Sequence, residues 1–471
     1  MRDRLIRLPY YRWLVFAVIA TGTFMSTLTS SILNVALPLI QVSLGTDLLT
    51  VQWVVTAYLL VVTGFLPLAG RLGDVAGRRR IYSAGFIGFA VGSLLCGLAR
   101  SVEGLIVFRL LQGLGAAALM ANSPAIVTEV FPRKERGKVL GMVGTAVALG
   151  SMTGPSLGGI LVEQLGWHAL FFLNLPVALL GYGAAYLVLP LDKRWQGDGL
   201  DVVGAGLFTG GVVSFSLALS QGGKWGWLAG GLVVLGTLQI WMFYRWEKWV
   251  PQPMIDLTIF DNWPFVVGNL TGLLSFMAIF ANTILFPFYL FQVKGLTPGE
   301  MGLVMSAFPL VMAIVAPLSG ALSDRAGPLL LTCTGLTVVA GGLYYTGNLG
   351  AGAGIGSIVA GQALLGLGNG LFQSPNNNSV MSALDPAKAG LAGGINALSR
   401  NLGMISGTAI AVSVCEFGRQ ASLTTGGSSS REVTAFLQGY HWAFLLAAGI
   451  AVLGVLLSLN RQGYAGYDEK Q

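Results

Sequence analysis

Long uninterrupted apolar runs constrain this chain more than any motif in it. A helix needs about 20 apolar residues to cross the hydrocarbon core of a bilayer. Fourteen runs of that order are present, at 14–40, 51–72, 81–99, 104–130, 138–161, 170–189, 201–220, 227–244, 265–290, 302–322, 329–347, 355–380, 391–414 and 440–459. Gly, Pro and charge clusters punctuate them, as turn residues do. Membrane-spanning β-strands would instead show alternating segments of about 10 residues. Charged residues make up only 10% of the chain, against roughly 25% in soluble domains. Disorder is excluded by the same apolar content, and a disulfide scaffold by three cysteines in 471 residues. The sequence predicts an all-α protein whose first partner is the lipid bilayer.

The basic N-terminus precedes a run too long for a signal-peptide core, so it reads as a retained first span. The net charge of +7 does not point to nucleic acid, because the basic residues separate apolar runs and form no stripe. Their placement does give an orientation. Of 27 Lys and Arg, 20 fall on the side of the N-terminus and 5 on the other. The excess of positive charge on cytoplasmic loops then predicts both termini inside, in the cell (inner or plasma) membrane.

Two segments repeat. Gly70-Arg-Leu-Gly-Asp74-Val-Ala-Gly77-Arg78 returns as Gly320-Ala-Leu-Ser-Asp324-Arg325-Ala-Gly327, an offset of 250 residues. Arg109-Leu-Leu-Gln112-Gly113-Leu-Gly115 returns as Gln362-Ala-Leu-Leu-Gly366-Leu-Gly368, an offset of 253. Two matched motifs at nearly one offset predict homologous halves, an arrangement found in transporters. The expected division is a six-helix bundle over 1–190, two linker helices in 191–264, and a second six-helix bundle over 265–471.

Gly70 to Arg80 closely resembles the loop motif of the major facilitator superfamily. Gly150-Ser-Met-Thr-Gly154-Pro155-Ser-Leu-Gly158-Gly159 resembles its fifth-helix antiporter motif, and Arg109 to Gly115 its fourth-helix motif. Asn34-Val-Ala-Leu-Pro38 with Trp53-Val-Val-Thr-Ala-Tyr58 is similar to the start of the fourteen-helix drug:proton antiporter branch. The resemblance implies the major facilitator fold with fourteen helices, alternating access, and multidrug efflux of small lipophilic or amphiphilic substrates against inward protons. It implies no cofactor and no metal.

Candidate residues follow. Gly70, Asp74, Gly77, Arg78, Asp324 and Arg325 are expected at gates, with each carboxylate at a tight turn beside a cation. Gly150, Gly154 and Gly158 lie four apart on one face, where small residues admit a neighbouring helix, and Pro155 removes one backbone hydrogen bond. With Gly159 they are the expected hinge. Ser26, Ser30 and Asn34 share a helical stripe. With Thr29, Arg109, Gln112, Asn282, Asn376, Asn377 and Arg400 they are the expected substrate cavity, since polar groups in lipid should line a cavity or another helix.

One departure matters. The branch usually carries an acidic residue where this chain has Thr29, and no Asp or Glu lies near the middle of any span. Glu129 is the remaining candidate for a proton site, set against a plain interfacial carboxylate beside Arg133 and Arg136. Arg109 and Arg400 either brace the helices or hold an anion. Anion binding would favour the alternative function, an exporter or flippase of anionic amphiphiles or lipids without proton coupling. No cluster of His, Cys or paired carboxylates suggests an enzyme.

Overall fold

Backbone polar groups inside a bilayer find no water, so an apolar chain satisfies them internally by coiling. The computed structural model describes residues 10–192, 201–250, 257–385, 389–423 and 430–460, and each predicted run falls on a long helix, with breaks at Gln52 and Leu173 near the start of two of them. In the first part these are α1 Tyr11–Ser43, α2 Trp53–Ala76, α3 Arg78–Gly97, α4 Val102–Val130, α5 Arg133–Leu165 and α6 Asn174–Val188. Then come α7 Val202–Trp225 and α8 Trp227–Glu247. The last part contains α9 Trp263–Phe288, α10 Pro298–Ala326, α11 Pro328–Gly347, α12 Ile355–Ser382, α13 Ala389–Leu423 and α14 Ser430–Leu459. No strand occurs among the described residues.

Twelve of the helices are long and apolar enough to cross a membrane by length and composition. Of the other two, α7 contributes a shorter apolar stretch, Val203–Leu219, and α13 is diluted by Asn396, Ser399, Arg400 and Asn401. Helix starts carry local signals. Ser101 accepts from the Gly104 amide at 3.1 Å ahead of α4, and Thr297 with Glu300 forms a reciprocal capping box on α10. The largest departure from the predicted bounds is α14, which begins at Ser430 and not near 440. Ala435 and Phe436 are buried there, and Gly439 lies against the Cys415 carbonyl.

The chain groups into two compact units. One comprises Met1–Thr46, Trp53–Val213 and Gln239–Met254; the other comprises Asp47–Gln52, Ser214–Leu238 and Ile255–Gln471. Each is organised by glycines at the same places. In the first unit, a side chain at Gly113 would strike the Tyr58 carbonyl and Val61 of α2, and one at Gly115 the Phe89 amide and Gly85 carbonyl of α3. In the second unit, Gly366 meets the Phe308 carbonyl and Val311 of α10, and Gly368 the Val339 amide and Gly335 carbonyl of α11. The α4 and α12 positions differ by 253 and their partners by 250, the two offsets of the sequence motifs. The repeat is therefore a repeat of close-packing points.

Candidate functional site

A cluster of charges sits where α2, α3, α4 and the residues after α6 meet. Asp74 lies in the last turn of α2 and Arg78 in the first turn of α3. Gly77 between them has φ +106°, a conformation that costs a side-chain-bearing residue strain. Arg78 donates to Asp74 Oδ1 from Nε at 3.1 Å and from Nη2 at 2.8 Å. Its Nη1 donates to the Ala125 carbonyl of α4 at 3.3 Å and lies 3.8 Å from Glu129 Oε2. Asp74, Arg78 and Glu129 thus form a chain that ties the α2–α3 turn to the end of α4. They line a cleft of about 420 Å³ together with Arg79, Thr128, Arg136 and Asp192. Glu129, the candidate proton site, is in this structure a partner of Arg78. Arg136 turns back to the Phe131 carbonyl at 3.0 Å. Gly70, one turn before Asp74, faces Ala121 of α4.

Asp192 was not legible as part of this site. Its Oδ1 accepts from the Arg79 amide at 2.8 Å, and its Oδ2 lies 3.7 Å from Arg80 Nε. The carboxylate occupies the space where a Gly77 side chain would stand. Helix N-termini leave amides unsatisfied and favour negative charge. Gly77 offers α3 no capping side chain, so a residue following α6 supplies one. Arg79 adds a hydrogen bond to the Tyr186 carbonyl at 2.5 Å and stacks 4.6 Å from the Tyr186 ring. In the second half the same turn has Gly327 at φ +79°, but Pro328 opens α11 with one donor fewer. Arg325 is exposed, and the Asp324 side chain lies outside the described residues.

The fifth-helix motif packs on α1. Side chains at Gly150, Gly154 and Gly158 would run into the Phe24 carbonyl, the Ile32 amide and the Ile32 carbonyl. Gly159 is buried beside them. Pro155 cannot donate to the Ser151 carbonyl four residues back, and Ser31 of α1 donates to that carbonyl at 2.9 Å. The counterpart pair in the second unit is α13 on α9, with Gly403 against the Leu273 carbonyl and Gly407 against the Met277 carbonyl.

Most residues expected to line an open cavity are enclosed by protein. Thr29 is 2% exposed and donates to Asn174 Oδ1 of α6 at 2.9 Å. Ser26 is equally buried and donates to the Gly22 carbonyl at 2.9 Å. Asn282 and Gln362 exchange two hydrogen bonds of 3.0 Å, and Asn376 donates to the Gly268 carbonyl at 3.0 Å. Asn34 is buried with Oδ1 unpartnered. Ser30 and Asn377 are half-buried, and Asn377 Oδ1 accepts from Asn396 at 3.1 Å.

Arg109 is fully buried. Its Nε donates to the Val54 carbonyl of α2 at 2.8 Å, and its Nη1 to Gln112 Oε1 at 2.5 Å. Gln112 passes the network to Ser93 of α3 at 2.6 Å, and the guanidinium lies 4.1 Å from the Tyr58 ring. Of the two roles left open for this arginine, the contacts are those of a brace among α2, α3 and α4. Arg400 differs. Its Nε is buried without a partner, and the residue keeps part of its surface open.

Fourteen long helices and a duplicated packing scheme define a multi-pass membrane protein with the architecture of a secondary transporter. The family model of the Major Facilitator Superfamily matches residues 19–408, and also 268–463. The chain belongs to the major facilitator superfamily, whose bacterial members of this kind lie in the cell membrane. It is 35% identical over 454 residues to the riboflavin transporter RibZ of Clostridioides difficile, covering 95% of this chain and 97% of that one. It is 34% identical over 415 residues to the multidrug resistance protein Stp of Mycobacterium tuberculosis, covering 87% of this chain and 77% of that one. Among solved structures, a bacterial homolog of the human lysosomal transporter Spinster, inward-facing and unoccupied, superposes with a TM-score of 0.69 at 14% identity. That match covers 96% of this chain and 97% of the other, and it speaks for the fold alone.

Proposed function

We propose that this chain is a secondary active exporter of small lipophilic or amphiphilic compounds, working by alternating access and coupled to protons. The observation that carries the reading is the α5 stripe. Gly150, Gly154 and Gly158 bring α5 into backbone contact with α1, at the motif that resembles antiporters. The relationship to Stp agrees with export of varied compounds. The bundles 1–190 and 265–471 are the moving parts in this reading, with 191–264 as an accessory pair. The Asp74, Arg78 and Glu129 chain is the gate at the basic-loop end. Because no carboxylate lies at mid-helix, proton coupling runs through this chain, where protonation of Glu129 would remove one of the two carboxylates facing Arg78 and leave it on Asp74 alone. It is a carrier, not an enzyme.

The test is efflux from proteoliposomes. A pH gradient should drive ethidium movement by the wild type, and Glu129→Gln should slow the gradient-driven component by about ten-fold, the scale of one lost charged partner. A wild type indifferent to the gradient removes proton coupling. The second reading, movement of anionic amphiphiles or lipids without protons, is favoured by one observation, the unpartnered Arg400.

A further inference from the structure

Arg109 donates from Nε and Nη1 and keeps only Nη2 without a partner, whereas Arg400 donates to nothing among the described residues. Arg400 lies well inside α13, yet among the described residues no ion pair or hydrogen bond engages its guanidinium. The helices around it offer no counter-charge. Neither α9 nor α12 contains an Asp or Glu. The first acid along α13 is Glu416, about 24 Å further at 1.5 Å per residue, and it is held by Arg419 at 2.7 Å. On α14 the one acid is Glu432, at the start of the helix. A charge without a partner inside hydrocarbon is unfavourable and marks function more often than structure.

Its surroundings supply further donors. Asn396, one turn earlier on the same face of α13, donates to Asn377 Oδ1 of α12 at 3.1 Å. That bond leaves the Asn377 amide hydrogens unspent. A guanidinium with amide donors beside it, partly open and far from any carboxylate, suits a planar or tetrahedral oxyanion.

We infer that Arg400, with Asn377 and Asn396, is an anion-recognition site that takes the sulfonate, carboxylate or phosphate end of an amphiphilic molecule. As a substrate site it rests on the export reading; as a binding site it is testable without transport. Two dyes separate the charge from the apolar body. 8-Anilinonaphthalene-1-sulfonate and N-phenyl-1-naphthylamine share the same ring system and differ by one sulfonate. Binding of each is measured on the full chain in nanodiscs, with empty nanodiscs subtracted. The wild type binds the sulfonate saturably and more tightly than the neutral dye. Arg400→Gln lowers that affinity ratio by about ten-fold or more, and Arg400→Lys keeps most of it. Absence of saturable sulfonate binding by the wild type, or an unchanged ratio in Arg400→Gln, overturns the site. If Arg400→Gln does not yield monodisperse protein, the wild type decides by competition. Naphthalene-1-sulfonate must displace the bound sulfonate dye at concentrations where 1-naphthol does not, and equal displacement overturns the site. Export is read separately in proteoliposomes. A protein that binds the sulfonate in this way yet moves neither dye keeps its anion site and loses the export reading.

Discussion

In the first half, Gly113 and Gly115 seat α4 on α2 and α3; in the second, Gly366 and Gly368 seat α12 on α10 and α11 in the same way. The polar groups do not follow suit. Tyr58, Ser93, Arg109 and Gln112 form one buried network in the first half. At the same offsets the second half has Phe308, Leu343, Gln362 and Leu365, and Gln362 turns to Asn282 of α9. Matching Gly403 to Gly150 places Arg400 opposite Val147. Backbone approach is thus duplicated while buried chemistry is not. Packing points are hard to change, because any side chain there collides with backbone. Polar networks can be exchanged for apolar side chains of similar volume at little cost.

The sharpest way to break the comparison is to fill matching packing points. Gly115→Leu and Gly368→Leu should each destabilise by about 3 kcal/mol or more, seen as loss of monodisperse protein on size exclusion. If one half tolerates its substitution, the shared geometry does not carry equal energy. The two arginines should separate next. Arg109→Met leaves Gln112 and the Val54 carbonyl without their donor, at about 1–3 kcal/mol for each buried group, and should lower the melting temperature. Arg400→Met removes an unpartnered charge and should leave the melting temperature unchanged or raised. A third contrast is the turn before α3 and α11. Asp192→Ala should cost about 1 kcal/mol, the usual effect of losing a helix cap, and should speed hydrogen exchange at the start of α3 only.

The smallest effect is a pH dependence at the turn before α6. His168 is half-buried and stacks 3.6 Å from Trp167. Burial pushes its pKa below the ordinary 6.5, partly opposed by the Ala99 backbone. A base with a depressed folded pKa binds its proton more readily when unfolded. Stability is therefore unaffected at higher pH and declines as pH falls through about 6.5. His168→Gln should flatten the melting temperature between roughly pH 7.5 and 5.5, where the wild type slopes.

The helices were legible because nearly all are continuous apolar runs, α13 being the polar exception, and the repeat because Gly113 and Gly366 must recur for the backbone to close up. The α5 glycines were legible for the same reason. Asp192 was not, since a cap supplied from 113 residues away leaves no local spacing to read. Thr29 looked like a lost acid on an open face, yet its hydroxyl is absorbed by Asn174, a partner that only the packing of α6 brings near. Arg109 and Arg400 are alike in sequence, each an arginine in an apolar run. What separates them is whether a carbonyl from a neighbouring helix reaches the guanidinium, as Val54 reaches Arg109, and one chain read by itself does not contain that.

The hydrogen bond from Ser31 to the Ser151 carbonyl sets a rule for how α1 and α5 travel. Pro155 withdraws the donor that carbonyl would have had, and among the described residues the hydroxyl across the interface supplies one in its place. Sliding either rod lengthwise by a single residue would strand an oxygen in oil. Swinging about the contact would not. The couple is therefore latched in register but loose in angle, and any strokes it makes are tilts.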